Sequence, residues 1–171
     1  MNIGNIGNNI QQKKKANDII YTPLLVAQLM IDMCDIQENE NVLDPSKGKG
    51  VFYDNLPNKC IKSFCEITEN KDFFDCHKKF DLIIGNPPFS MWDKWLEHTI
   101  KLTDKFCYIF GTLNFTQKRL KIVEDAGFGL TKLHLLKING WFGTSLICIF
   151  EKGKPSIMTY TSKSFKCNTI P

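Results

Sequence analysis

Arginine is almost missing from this 171-residue chain: of its 22 basic residues only Arg119 is an arginine. Bidentate reading of guanine therefore has a single candidate, and phosphate contacts would fall to lysines. The basic residues stand against 18 acidic ones, a mildly positive balance that permits a nucleic-acid partner without demanding one. No C-x-x-C pair occurs, and no histidine stands at metal-ligand spacing from a cysteine, so no metal site is expected. The seven cysteines are scattered and odd in number, which argues against a disulfide framework. Cys34, Cys107 and Cys148 read as small core residues of a protein in a reducing compartment. There is no apolar run long enough to span a bilayer and no signal peptide, so an intracellular protein without a membrane partner is expected. His77 sits among charges, in Cys76-His77-Lys78-Lys79, and reads as solvated; no poised His or Cys nucleophile stands out.

What is present is organised around Phe80 to Phe89, FDLIIGNPPF. The aliphatic run Leu82 to Ile84, stopped by a glycine, reads as a strand buried on both faces, and in an open α/β sheet ligands sit beyond the carboxyl ends of such strands. Pro87 and Pro88 restrict φ and lack N–H groups, and Pro87 also restricts Asn86. The backbone is thus held extended with its carbonyls free to accept. Asn86 adds a side-chain acceptor and Phe89 an apolar plate. Two acceptors beside a flat surface suit a planar amine such as the exocyclic nitrogen of a nucleobase. The structural alternative is a strand ending in a Pro-Pro turn, with Phe89 returning to the core.

The length suits one domain, with residues 18–154 as its ordered part and no separate target-recognition domain. Residues 1–17 lack periodicity and read as a flexible tail whose Lys13 to Lys15 touch phosphates or simply solvent. Residues 155–171 read as a disordered or loosely attached tail. Thr22 is placed as an N-cap, with Pro23 at the first helical position of a helix running to about Cys34. Asn41 to Gly50, NVLDPSKGKG, reads as a strand entering a turn with an acid and two glycines, then a short helix from about Val51 to Leu56. Gly48 and Gly50 would let backbone approach a ligand closely. Ile61 to Glu66 is a second strand, Met91 to Leu102 a helix with Trp92 either in the core or beside the pocket, and Phe106 to Gly111 a buried strand. A further helix ends near Ala126-Gly127. Leu130 to Ile138 and Gly143 to Phe150 form a hairpin with Trp141 and Phe142 at its tip, facing a substrate or capping the sheet.

These motifs resemble the S-adenosylmethionine-dependent amino-methyltransferases with an [N/D/S]-P-P-[Y/F] motif, which modify adenine N6 or cytosine N4. The resemblance runs from about Tyr21 to Lys152. It implies a three-layer, Rossmann-like α/β sheet, mostly parallel and ending in an antiparallel hairpin. Only five residues separate Glu66 from Asp72, so a sheet trimmed around its usual third strand is expected, with DFFD as a loop or short edge strand. The resemblance makes Asn86, Pro87, Pro88 and Phe89 the catalytic motif. Tyr21, Thr22, Asp44, Pro45, Gly48, Gly50, Glu66, Asp72 and Phe73 become the S-adenosylmethionine site. There Asp44 would accept from the ligand's ammonium group, and Glu66, about twenty residues past the glycine turn, would bridge ribose hydroxyls. Asp72 and Phe73 would meet the adenine. Lys47 and Lys49 depart from the family, where small residues are usual. Asn at the first motif position favours adenine in DNA. RNA bases, protein glutamine, or a catalytically silent binding subunit are the alternatives. A specificity subunit or homodimer would supply target recognition.

Overall fold

The computed structural model describes residues 20–161; the basic tail expected over residues 1–17 lies outside them. Six strands form one sheet: β1 (Asn41–Asp44), β2 (Ile61–Phe64), β3 (Leu82–Gly85), β4 (Lys105–Gly111), β5 (Phe128–Leu136) and β6 (Ser145–Lys152), in the order β2-β1-β3-β4-β6-β5. The first four run parallel, and β6 pairs antiparallel with both β4 and β5. This is the expected mostly parallel sheet with a terminal antiparallel hairpin. The trimming is also there. Between β2 and β3 the chain makes only two 3₁₀ turns, Ile67–Glu69 and Phe73–Asp75, and two isolated bridges, Glu66 to Lys71 and Phe80 to Thr103, so β2 is left as the edge.

Alternation along the strands builds the three layers. In β4, Phe106, Tyr108 and Phe110 point to one face, while Cys107 and Ile109 point to the other. Period-2 geometry sends successive side chains to opposite faces, and here both sets are apolar because both faces are covered. Helix α1 (Leu24–Cys34) covers one face. Its Ala27, Met30, Ile31 and Cys34 recur at helical spacing and pack with Val42, Leu82, Ile84 and Ile147. Helices α2 (Trp92–Leu102) and α3 (Gln117–Asp125) cover the other through Trp92, Trp95, Leu96, Leu120 and Val123. Trp92 is a core residue, stacked on Phe110 at 4.1 Å between ring centroids. Cys34, Cys107 and Cys148 are buried free thiols, as their spacing suggested.

Local expectations fared unevenly. Pro23, not Thr22, occupies the N-cap of α1; Thr22 is buried and makes no capping bond, because proline's fixed φ fits the extended cap as well as the first turn. The short helix expected from Val51 to Leu56 contracts to a 3₁₀ turn at Tyr53–Asn55. Gly127, with φ 85°, follows α3 as expected and turns the chain into β5. Of the tail expected over residues 155–171, residues 162–171 lie outside the described residues; within 155–160, Ile157 N–H donates to the Leu130 carbonyl at 2.9 Å and Met158 and Tyr160 pack on the core, so this part lies against the edge of the sheet. No helix among the described residues is long and apolar enough to cross a membrane.

Candidate active site

After β1 the chain goes outward to β2 and then returns to β3 on the other side of β1. The carboxyl ends of β1 and β3 therefore diverge at a topological switch point, where α/β sheets bind ligands. A cleft of about 470 Å³ opens there. Tyr21, Thr22, Pro45, Gly48, Glu66, Asp72, Phe73, Asn86 and Pro88 line it, bringing together residues that sequence reading placed in five separate stretches. Asn86 and Gly48 face the same hollow. Sequence reading missed Ile20, Ser46, Phe52, Ile67, Thr68, Phe74, Met91 and Trp95, which also line it. For Ile67 and Thr68 the missed signal was the 3₁₀ turn that Glu66 itself caps.

The glycine turn is held from two sides. Gly48, with φ 52°, donates its N–H to Glu66 Oε2 at 2.8 Å, while Thr68 donates its N–H and hydroxyl to Glu66 Oε1 at 3.0 and 2.7 Å. Burial pushes the Glu66 carboxyl upward, but these donors outweigh it and leave the group below its ordinary value, an anion at neutral pH. Oε2 keeps a lone pair for a ligand hydroxyl. Asp72 caps the next turn by accepting from Phe74 N–H at 2.9 Å.

Asp44 is the main departure. It is fully buried beneath the cleft and does not line it, so it cannot meet a ligand's ammonium group as expected. Its oxygens accept instead from Ser46 N–H at 3.2 Å and Tyr53 N–H at 3.3 Å, pinning both ends of the glycine turn. Burial raises its pKa to about 7 against those two backbone bonds. Gly50 also stays behind the cleft, with φ 84° and Asp54 packed against its α-carbon. Phe73 is 2% exposed and stacks on Trp95 at 4.4 Å, so only one edge of it reaches the cleft.

Lys47 and Lys49 also line the cleft, and each is engaged by a neighbour: Lys47 pairs with Glu69, 2.7 Å away, and lies over Phe64, while Lys49 lies over the ring of Tyr21 at 4.4 Å. Arg119 is engaged internally, giving Nε to Asp93 at 2.8 Å and Nη1 to Asn114 Oδ1 at 2.7 Å, which removes it as a reader of guanine.

At the carboxyl end of β3, Asn86 is held by its neighbours. Ser46 Oγ donates to its backbone carbonyl at 3.2 Å, and its Nδ2 donates to the Ile20 carbonyl at 2.9 Å. Its Oδ1 is buried without a hydrogen-bond partner among the described residues. Pro87 and Phe89 lie outside the cleft. Phe89 is half-buried and meets Trp141 of the hairpin tip edge-on at 6.4 Å, while Phe142 is 86% exposed. Of the two hairpin-tip aromatics, Trp141 is thus the one beside the motif. Among the described residues no cluster of His, Cys, Asp and Glu is suited to a metal ion.

The structure is similar to that of a magnesium protoporphyrin IX methyltransferase from Synechocystis PCC 6803 solved with bound S-adenosylmethionine. The two superpose with a TM-score of 0.60 over 86% of this chain and 81% of that one, at 15% identity. The fold is the methyltransferase fold. In sequence the chain is similar to two type II methyltransferases. M.HincII of Haemophilus influenzae is 29% identical over 98 aligned positions, taking in 48% of this chain and 19% of that protein. M.EcoRI of Escherichia coli is 31% identical over 75 positions, 43% of this chain and 22% of that protein. The chain thus matches about a fifth of these curated relatives. No family model matches it.

Proposed function

We propose that this protein transfers a methyl group from S-adenosylmethionine to the exocyclic N6 amine of adenine in DNA. The observation that carries the reading is Asn86: it lines the 470 Å³ cleft, its amide is held through Nδ2, and its acceptor oxygen is buried and unpaired among the described residues. Leaving a buried acceptor unmatched costs about 1–3 kcal/mol, which a substrate N–H would recover. The cleft residues fit the cofactor. Gly48 and Glu66 offer backbone approach and a free carboxylate lone pair, Asp72 and the edge of Phe73 stand beyond them, and Tyr21, Thr22 and Pro45 close the near wall. Asp44 and Gly50 contribute from behind by fixing the turn. When bound, the cofactor supplies an electrophilic methyl on a sulfonium.

The remaining chemistry belongs to the chain. Asn86 Oδ1 is assigned one N–H of the amine and the Pro87 carbonyl, outside the cleft, the other, drawing the lone pair out of conjugation with the ring. Phe89, beside Trp141 and also outside the cleft, gives the base an apolar plate, so the base sits on the hairpin side of the motif and only its amine is turned toward the cleft. The base has to leave the helical stack to reach them. Proximity and preorganised dipoles supply most of the rate, so no strong general base is needed. Similarity to type II methyltransferases supports DNA over RNA bases or protein glutamine. The ion pair of Lys47 with Glu69 offsets its charge beside the cleft and so weakens one motive for a silent binding subunit. Sequence selectivity is assigned to a specificity subunit or a homodimer. Radiolabelled methyl transfer to separate pools of duplex DNA, structured RNA and protein tests the reading: label is expected in DNA, and label confined to RNA or protein, or in none, overturns it.

A further inference from the structure

The amide of Asn86 has two chemically different ends, and a residue outside its motif decides which of them serves the cleft. We propose that the backbone carbonyl of Ile20 is a positioning group for methyl transfer: it fixes the flip of the Asn86 amide and makes an amide, rather than a carboxylate, the working side chain at residue 86. This rests on the methyl-transfer reading above.

A carbonyl oxygen only accepts, so at 2.9 Å it tolerates a donor and nothing else. Nδ2 is therefore forced toward Ile20, and Oδ1 is forced to the other side, where it stays unpaired. The reverse flip would set two acceptors against each other and present N–H groups to an incoming amine, which itself offers N–H. The supporting segment is well anchored. The Pro23 carbonyl accepts from Val26 and Ala27 at 3.0 Å, Thr22 is buried, and Tyr21 lies beneath Lys49. Ser46 holds the backbone of Asn86 from the opposite side.

Aspartate at this position would behave differently from asparagine for one reason. An ionised carboxylate has no proton to give Ile20, so its oxygen is repelled by that carbonyl. Once protonated, it donates O–H to Ile20 and turns C=O toward the cleft, reproducing the asparagine pattern. Its pKa is expected to rise and its activity to grow as pH falls. The charged groups of the same hollow are Lys47 and Lys49 on one rim, Glu66 and Asp72 on the other, and Asp44 beneath; Tyr21 is the further titratable group. All are shared with the wild type, so a difference between the two pH profiles isolates residue 86.

The test uses the full chain carrying Asn86→Asp. Carbon-13 NMR titration of the introduced carboxyl is expected to give a pKa at least about one unit above the ordinary aspartate value. Methyl transfer by the variant, relative to wild type on the same substrate, is expected to rise by about tenfold or more from about pH 8.5 to about pH 5.5, since above its pKa the protonated fraction grows nearly tenfold per pH unit lost. In the wild type, scalar coupling across the hydrogen bond between Asn86 Nδ2 and the Ile20 carbonyl carbon is expected whether or not the variant folds. A normal or lowered pKa, a flat relative rate, or no such coupling overturns the proposal. A wild-type protein that methylates nothing would sink the enzymatic reading, while the coupling and the titration would still judge the Ile20 contact.

Discussion

Replacing Asn86 with alanine separates chemistry from architecture. The substitution deletes a bond from Nδ2 to the Ile20 carbonyl, worth about 1 kcal/mol, and also deletes an unpaired buried acceptor whose burial costs about 1–3 kcal/mol. The two effects oppose each other, so net stability should move by no more than about 2 kcal/mol, a Tm change of a few degrees for a chain of this size. The glycine turn, Glu66 and Asp72 keep their own bonds, none of which passes through the Asn86 side chain. Cofactor affinity measured by calorimetry should therefore match the wild type. Methyl transfer should not: losing one preorganised acceptor costs about 2.7–4 kcal/mol at the transition state, a fall in kcat of roughly a hundred- to a thousandfold. Radiolabel incorporation beside calorimetry and a melting curve reads all three quantities. Near-normal turnover, or loss of cofactor binding in parallel with turnover, would refute this assignment of Asn86.

Glu66→Gln places an amide where a carboxylate accepts from Gly48 and Thr68, so whichever way it turns one N–H meets another, at about 1–3 kcal/mol; cofactor Kd should rise about tenfold or more by calorimetry. Gly50→Ala adds a β-carbon 2.5 Å from Asp54 Oδ2 at φ 84°, and the left-handed backbone alone costs about 1–2 kcal/mol, so Tm should fall by several degrees in calorimetric scans. Asp44 gives a pH signature. Its folded pKa of about 7 lies above its ordinary value of 3.8, so its contribution to stability is full below about pH 4 and is lost as pH rises through 7. Urea unfolding across that window should show wild-type stability falling relative to Asp44→Asn by up to about 4 kcal/mol, and parallel profiles would contradict the raised pKa.

The middle of the sheet was legible because β1, β3 and β4 are short, largely apolar runs ended by Asp or Gly, and its trimming because five residues between Glu66 and Asp72 leave no room for another strand. The cleft was legible because its residues fall at strand ends, where topology gathers them. Roles that depend on direction were harder to read. Asp44 and Gly48 stand four residues apart in one turn, yet one points beneath the floor and the other into the cleft. Burial of that kind is set by Tyr53 and the β1 register, which no spacing rule encodes. Thr22 followed by Pro23 fits two helix starts equally well, and packing chose the later one. The contact between Ile20 and Asn86 joins residues 66 apart, with no periodicity to announce it. Residues 156–160 lack periodicity as well; their attachment runs through two bonds to Leu130, one to Glu124 and the isolated apolar contacts of Met158 and Tyr160 rather than an apolar stripe.

The central claim is that the Asn86 acceptor and the glycine-turn cleft together methylate a base amine. Mass spectrometry of nucleosides from unmethylated DNA incubated with the protein and S-adenosylmethionine tests it most directly. N6-methyldeoxyadenosine should accumulate with the wild type and be nearly absent with Asn86→Ala. Unmodified adenine from wild-type reactions in which calorimetry shows the cofactor bound would contradict it.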